Sequence, residues 1–260
     1  MTVTLESDAT RAYAVLAPAY DLLTAEYAYG PWLDAIERLA IEHGLAGRRL
    51  LDVGCGTGKS FMPFLARGYD VTACDVSAAM AAIAAAKAPA VPVHVCDARA
   101  LPALGDFDLV CCVDDGLNHV LEREELTDAL AAMAANLAGH GLLLFDLNNL
   151  ATYRGFFAST SVQESDDLVL VWHGRCAADA GPGARAEADF SAFARADDSW
   201  SRVRVTHVQR HHPEPVVAAA LTAAGLECVA AYGQGLDGLP HAGPDELADT
   251  KTLYLARHAR

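Results

Sequence analysis

The sequence predicts an α/β protein built on a doubly wound sheet of seven strands, with an antiparallel hairpin at its end. Three observations support this class. Strand-length apolar runs alternate with helical stretches through residues 46–149. The first of these runs breaks into a glycine-rich turn, as at the start of a βαβ unit. Residues 226–232 and 251–257 are further strand-like runs joined by a loop and not by a helix, so we expect them to pair antiparallel.

Residues 1–45 are predicted to form a helical cap that precedes the first strand. Tyr13 and Tyr20 fall on one helical face, and a second apolar stripe runs through residues 32–40. Pro18 and the Gly-Pro pair at residues 30–31 interrupt these helices.

The glycine turn at residues 54–58 is the feature around which the chain is organised. It follows a buried-strand run at residues 50–53, and residues 59–68 carry apolar side chains at helical spacing. Glycine adopts positive φ and lets a ligand approach the main chain closely. A phosphate-binding Walker loop is excluded because Val53 stands where that motif needs glycine. The dinucleotide fingerprint is disfavoured because Lys59 stands where it needs glycine or alanine.

Acidic residues end the next two predicted strands. Asp75 closes residues 69–75 and lies 17 residues beyond Gly58, near the spacing at which a carboxylate holds a ribose diol. Met80, on the first turn of the following helix, either lies against an adenine ring or fills the core. Asp97 lies at the end of the run at residues 93–98 and either faces a ligand or forms an Asx turn.

The loop after the fourth predicted strand, residues 107–113, faces the edge at which doubly wound sheets bind ligands. His119 in this loop is the natural general base or orienting group, because imidazole titrates near neutral pH. The alternative is a helix cap or a packed ring. The fifth strand, residues 140–149, carries Asp146 and Asn148 near its end, which either contact a substrate or only terminate the strand.

Residues 150–212 separate the two parts of the core, residues 46–149 and 213–260, and are predicted to form an antiparallel insert of three or four strands. We expect this insert to be a lid over the substrate or a subunit interface, so that a homo-oligomer is possible. The adjacent His211 and His212 point to opposite faces of an extended chain, which disfavours a shared metal site.

Three segments resemble one enzyme family. Residues 52–58, Asp-Val-Gly-Cys-Gly-Thr-Gly after a strand, resemble the first motif of class I S-adenosylmethionine-dependent methyltransferases, whose sheet is Rossmann-like. Residues 19–23, Ala-Tyr-Asp-Leu-Leu, resemble the cofactor-capping element of small-molecule methyltransferases. Residues 114–120 resemble the post-strand loop of amino-sugar N-methyltransferases and related natural-product enzymes. The terminal hairpin is a further mark of the family, and the resemblance covers residues 45–149 and 213–258.

The resemblance implies S-adenosylmethionine as the cofactor and S-adenosylhomocysteine as its product, with no bound metal. It implies catalytic roles for His119 and for Tyr20, which would reach over the active site. The implied cofactor contacts are Asp52, Gly54, Cys55, Gly56, Gly58, Asp75, Val76, Met80, Asp97, Ala98, Val113 and Asp114. We expect the substrate to contact Tyr13, Asn118, Asp146 and Asn148.

The function that this resemblance implies is methyl transfer to an amine or hydroxyl of a small molecule, such as an amino sugar or a secondary metabolite. One alternative is O-methylation of a phenol or carboxylate. Alternatives of other classes are an NAD-binding oxidoreductase and a non-catalytic protein that binds S-adenosylmethionine.

The composition indicates which binding partners are disfavoured and which cellular compartment we expect. With 19 basic and 34 acidic residues the net charge is −15, which opposes non-specific binding to nucleic acid or to an anionic membrane. No apolar run reaches the ~18 residues that a spanning helix needs. Residues 1–10 lack the pattern of a secretory signal, and the seven cysteines include no Cys-x-x-Cys pair. We therefore expect a cytoplasmic protein with reduced thiols.

Overall fold

The structure is a computed structural model of the chain and describes residues 8–25, 29–196 and 199–259. Residues 1–7, on which the expectation about a secretory signal partly rests, lie outside the described residues. Three cap helices come first: α1 (Asp8–Leu16), α2 (Tyr20–Leu23) and α3 (Tyr29–Glu42). The later helices are α4 (Met62–Ala66), α5 (Ala78–Lys87), α6 (Arg123–Ala134), α7 (Leu150–Arg154) and α8 (Glu214–Ala223).

The strands form two sheets. Those that precede the insert are β1 (Arg49–Val53), β2 (Asp70–Asp75), β3 (Val93–Val95), β4 (Phe107–Cys112) and β5 (Leu137–Asn148). The insert contributes β6 (Thr160–Glu164), β7 (Leu168–Gly174), β8 (Arg185–Ala196) and β9 (Ser199–Arg210). The chain then returns to the first sheet with β10 (Leu226–Gln234), β11 (Pro240–Ala242) and β12 (Lys251–His258).

The main sheet has the order β11-β10-β12-β5-β4-β1-β2-β3. Strands β1 to β5 pair parallel, whereas β12 pairs antiparallel with both β5 and β10. The predicted doubly wound sheet with an antiparallel end is therefore confirmed. Two details were not predicted: β12 lies between β5 and β10, and the three-residue β11 adds an eighth strand at the edge.

Both faces of the main sheet are covered, which explains why its central strands are continuously apolar. Leu50, Leu109 and Leu144 belong to the buried cluster on the face covered by α3. Leu51 and Val110 belong to the cluster on the opposite face, beside α6 and α8. Because neighbouring residues of a strand point to opposite faces, each central strand supplies both clusters.

The helix after the glycine turn is shorter than predicted. A helix was expected over residues 59–68, but α4 begins only at Met62 and ends at Ala66. Gly58 still has a φ of 91°, and a Cβ there would lie 2.8 Å from the Phe61 ring, so the chain is still turning at that point. Pro63 then occupies the first helical turn, where its missing N–H costs no hydrogen bond.

The insert forms a separate four-stranded antiparallel sheet of order β6-β7-β8-β9, within the three or four strands predicted. Its last strand packs against the cap, since Val205 of β9 shares a buried cluster with Ala12 and Leu16 of α1. Strand β9 also binds the loop after β4, so the insert and the cap meet beside the carboxyl end of β4, next to β1 where the strand order reverses. None of the described helices has the length and apolar character needed to cross a membrane.

Candidate active site

The glycine turn takes a backbone course that only glycine adopts without strain. Gly54, Gly56 and Gly58 have φ values of 76°, 54° and 91°. The turn is tied to β2, because the backbone N–H groups of Gly54 and Cys55 both donate to the Cys74 carbonyl, at 2.8 and 2.9 Å. A Cβ placed on Gly56 would meet no atom within 4 Å, so the main chain here borders open space.

Asp75 joins the end of β2 to the glycine turn. Its carboxylate accepts from the Gly56 N–H and from the Ser77 N–H, each at 2.8 Å. Burial raises the pKa of Asp75 although both backbone donors oppose the shift. Each oxygen keeps a further lone pair, so the carboxylate can also accept from a ligand hydroxyl.

Asp52, the acid of the glycine motif, lies beneath the turn. Its side chain is buried and accepts from the Ser60 hydroxyl and, at 3.5 Å, from the Cys111 thiol. Burial raises the pKa of Asp52 to about 6 in spite of both donors. Asp52 therefore supports the turn through Ser60.

A cavity of about 120 Å³ lies between the glycine turn, the ends of β2 and β4, and the cap helices. Ten of the residues predicted for the site line this cavity: Tyr13, Tyr20, Gly54, Cys55, Gly56, Asp75, Val76, Val113, Asp114 and His119. Lining residues that were not predicted are Ala9, Tyr29, Thr57, Lys59, Ser60 and Gly116. The geometry thus gathers parts of the cap, the glycine turn and the loop after β4 around one space.

The loop after β4 has an unusual backbone. Asp114 and Asp115 have φ values of 65° and 60°, in the left-handed region that costs most side chains about 1–2 kcal/mol. Asp114 is fixed by the Tyr29 hydroxyl at 2.6 Å and by the Lys251 ammonium at 2.8 Å. Burial alone would raise the pKa of Asp114, but Lys251 overrides this and holds the pKa below its usual value.

Lys251, the first residue of β12, bridges two carboxylates. Besides Asp114 it binds Asp146 at 2.9 Å, and Asp146 in turn accepts from the Asp115 N–H at 3.3 Å. Burial raises the pKa of Asp146 despite its contact with Lys251. Burial works against the charged form of Lys251, but Asp114 and Asp146 raise its pKa well above the usual value. The ion pairs of Lys251 therefore fix the loop after β4 to the ends of β5 and β12.

The insert also binds this loop. The Asp115 carboxylate accepts from the Asn148 and Gln209 side-chain amides, each at 2.9 Å, and these two amides bond to each other at 2.9 Å. Gln209 belongs to β9, and its side chain is 4% exposed. A buried polar network therefore connects the insert to the loop.

His119 has a defined orientation. Its Nδ1 lies 3.0 Å from the Val208 carbonyl, which can only accept, so Nδ1 carries the proton. The lone pair of Nε2 then accepts from the Tyr13 hydroxyl at 3.1 Å. Burial lowers the pKa of His119 although Asp115 opposes the shift. The imidazole is therefore neutral at neutral pH, and its unprotonated Nε2 is bonded to Tyr13, which lines the cavity with His119.

Tyr13 and Tyr20 form the cap side of the cavity. Their ring centroids are 6.2 Å apart in an edge-on arrangement. Burial raises the pKa of both phenols, so their hydroxyls stay protonated. They can donate hydrogen bonds and exclude water from the cavity.

Several predicted site residues lie outside the cavity lining. Met80 is fully buried in the cluster between α1 and β9. Asp97 binds the Arg99 side chain at 2.6 Å and caps the short 3₁₀ turn that begins at Ala98. Asn118 is buried and donates to the Arg210 carbonyl at 3.0 Å. Asp52, Gly58, Ala98, Asp146 and Asn148 likewise do not line the cavity.

Sequence reasoning did not single out four residues of the site. Lys251, Gln209 and Tyr29 lie far along the chain from the residues that they bind, and nothing local signals their contacts. Asp115 lies in the segment 114–120 that resembles the family but was given no role of its own. A lysine at the start of the final strand, shortly before its apolar residues 253–256, was the one available signal for Lys251.

The residues that line the cavity carry groups that suit parts of S-adenosylmethionine. The open main chain at Gly56 suits close approach of the ligand, and the Asp75 carboxylate suits a ribose diol. The Asp114 carboxylate also lines the cavity, which suits a cationic group of the cofactor. The glycine turn and Asp75 would hold the cofactor, with Asp114 on the opposite wall.

The comparisons agree with this fit. A family model described as a methyltransferase domain matches residues 50–141. A protein of Geobacillus sp. that is named a methyltransferase is 32% identical over 166 residues, covering 62% of this chain and 67% of that protein. A dTDP-4-amino-2,3,4,6-tetradeoxy-D-glucose N,N-dimethyltransferase of Saccharopolyspora spinosa is 32% identical over 97 residues, covering 37% of this chain and 39% of that protein.

A solved S-adenosylmethionine-dependent methyltransferase of Clostridium acetobutylicum superimposes with a TM-score of 0.81 at 21% identity, covering 95% of this chain and 99% of that chain. At this identity the likeness shows the fold, including the insert. The glycine turn, the matched domain and the relatives together show that this chain belongs to the S-adenosylmethionine-dependent methyltransferases.

Proposed function

We propose that the enzyme methylates an amine nitrogen of a small molecule, such as an amino sugar or a related secondary metabolite. The observation that carries the proposal is the neutral imidazole of His119, which lines the cavity with Nδ1 held by the Val208 carbonyl and Nε2 accepting from Tyr13. Asp114 lines the same cavity. A carboxylate attracts an ammonium group, and a neutral imidazole can take the proton that an amine must lose before it attacks.

When bound, S-adenosylmethionine supplies a methyl group already activated by the sulfonium, so the protein mainly aligns the reactants. Alignment of this kind contributes about 7–11 kcal/mol to catalysis. His119 takes the proton of the substrate amine at Nε2. In this structure the Tyr13 hydroxyl donates to that nitrogen. Tyr20 and Tyr13 exclude water above the reacting groups.

We assign the insert to the acceptor side of the site. Its strand β9 supplies the carbonyl that orients His119 and the Gln209 amide that binds Asp115. The Saccharopolyspora spinosa relative acts, by its name, on an amino sugar, which supports an amine acceptor here. An insert that orients the base and packs against the cap helix that carries Tyr13 would act as a lid over the acceptor.

The test is an acceptor panel of matched pairs, each an amine and the hydroxyl analogue of the same skeleton, including nucleotide-linked amino sugars. We expect mass spectrometry to show a gain of one or two methyl groups on amines. Methylation of the hydroxyl member alone would overturn the proposal in favour of O-methylation.

The role of His119 is tested with His119→Asn, which keeps a donor for Val208 but lacks the base. We expect a rate roughly 10²–10⁴-fold lower at neutral pH, with cofactor affinity little changed. The loss should shrink at high pH, because solvent then deprotonates an amine in advance. The control is His140→Asn, whose imidazole is 69% exposed and pairs with Asp108 away from the cavity. A near-normal rate at all pH values would reduce His119 to a packing residue.

A further inference from the structure

Lys59, which follows the glycine turn, differs from the other lysines of the chain. The sequence has three lysines, Lys59, Lys87 and Lys251. Lys87 pairs with Asp21, and Lys251 pairs with Asp114 and Asp146. Lys59 lines the cavity and has no carboxylate within ion-pair distance among the residues that the structure describes.

The surroundings of Lys59 hold it at the cavity wall. Its ammonium donates to the Thr24 carbonyl and, at 2.8 Å, to the Thr24 hydroxyl, both at the end of α2. It lies 5.2 Å from the centroid of the Tyr29 ring, which also lines the cavity. An ammonium has three N–H donors, and these two bonds occupy two of them. One donor and the full charge remain for a ligand.

The charges around the cavity are unequal. Among its described lining residues, the carboxylates are Asp75 and Asp114, whereas Lys59 is the one permanent cation. S-adenosylmethionine carries a cationic sulfonium, an ammonium and a carboxylate. Asp75 suits the ribose diol and Asp114 suits a cationic group, so among the described lining residues Lys59 is the charged partner left for the ligand carboxylate.

We propose that Lys59 binds the carboxylate of the methionine part of S-adenosylmethionine, so that the enzyme recognises the amino-acid end of its cofactor through this side chain. The inference concerns the cofactor alone and is independent of the identity of the methyl acceptor. The alternative to this proposal is a purely structural role, in which Lys59 only holds α2 in place through its hydrogen bonds to Thr24.

The test compares two ligands by calorimetry. S-adenosylhomocysteine has the amino-acid group, whereas 5′-methylthioadenosine keeps the adenosine and the thioether but lacks it. For Lys59→Met we expect about 10- to 100-fold weaker binding of S-adenosylhomocysteine, the range for a hydrogen bond to a charged group. The affinity for 5′-methylthioadenosine should change by less than about twofold. Lys59→Arg should recover part of the loss.

The matched control is Lys87→Met, which removes a tie between α5 and Asp21 of α2 outside the cavity lining. We expect it to change the affinities for the two ligands by the same factor. An equal loss of both affinities in Lys59→Met would show that Lys59 works only through the cap and would overturn the proposal. Unchanged affinity for S-adenosylhomocysteine would overturn it as well.

A measurement on the unaltered protein keeps the proposal testable if Lys59→Met does not fold. The decarboxylated form of S-adenosylhomocysteine keeps the ammonium and lacks only the carboxylate. We expect the protein to bind it at least about tenfold more weakly than S-adenosylhomocysteine. Equal affinity would exclude recognition of the carboxylate.

Discussion

Replacing Lys251 by methionine should destabilise the enzyme strongly. Lys251 is 9% exposed and lies 2.8 Å from Asp114 and 2.9 Å from Asp146. Methionine has a similar length but no charge, so the variant leaves the buried Asp146 and the partly buried Asp114 without their cation. Breaking a buried ion pair in this way costs about 3–5 kcal/mol. At about 2–4 °C per kcal/mol for a chain of this size, the melting temperature should fall by roughly 6–20 °C.

The loss of stability caused by Lys251→Met should grow as the pH rises. In the parent protein the pKa of Asp114 lies below its usual value, so this group stabilises the fold above its unfolded pKa and less as the pH falls. Without Lys251, burial raises the pKa of Asp114 above its unfolded value, and its ionisation then destabilises the fold as the pH rises. The difference in free energy of unfolding should therefore be larger at pH 7 than at pH 5.

Urea unfolding at both pH values measures these effects. Lys87→Met is the control, because the Lys87 and Asp21 side chains are 32% and 45% exposed and such surface pairs contribute about 0–1 kcal/mol. Adding Asp146→Asn to Lys251→Met should recover part of the loss, since one unpaired charge is then removed. A cost below about 1 kcal/mol for Lys251→Met, or a difference that grows toward pH 5, would refute the reasoning.

Two further predictions concern the cofactor and the insert. Asp75→Ala should weaken binding of S-adenosylhomocysteine by about 1.5–3 kcal/mol, because it removes a charged hydrogen-bond acceptor, and calorimetry giving unchanged affinity would remove Asp75 from the site. Gln209→Leu deletes the insert's amide on Asp115 and should lower kcat by about 10- to 100-fold through misplacement of the loop, with cofactor affinity within about twofold. A matching fall in cofactor affinity would place the insert on the cofactor side instead.

The parts of the molecule predicted best are those that local sequence determines. The features that define the cofactor side of the site lie close together in the chain: the run at residues 50–53, the three glycines and Asp75. Their spacing alone predicts the turn and the position of the acid. The parallel pairing of the central strands follows from the alternation of strands and helices. The family assignment also sets aside the oxidoreductase alternative, in agreement with Lys59 at the position where a dinucleotide fingerprint needs a small residue.

The parts not predicted depend on contacts between distant segments. Lys251 binds Asp114 across 137 positions, and Gln209 binds Asp115 across 94. No local pattern encodes such pairs. Met80 illustrates the same limit: its position after β2 was compatible with a cofactor contact or with the core, and the packing of α1 onto β9 places it in the core.

The contacts between β9 and the loop after β4 are partly made by main-chain atoms. The Val208 carbonyl accepts from His119, and the Arg210 carbonyl accepts from Asn118. A main-chain carbonyl is present whatever side chain the residue carries. Side chains of β9 other than Gln209, which binds Asp115, can therefore be exchanged, by evolution or by engineering, while the imidazole keeps its tautomer and direction. Under the proposed function, the choice of acceptor would then be separate from the placement of the base, and specificity could change without rebuilding the reactive centre.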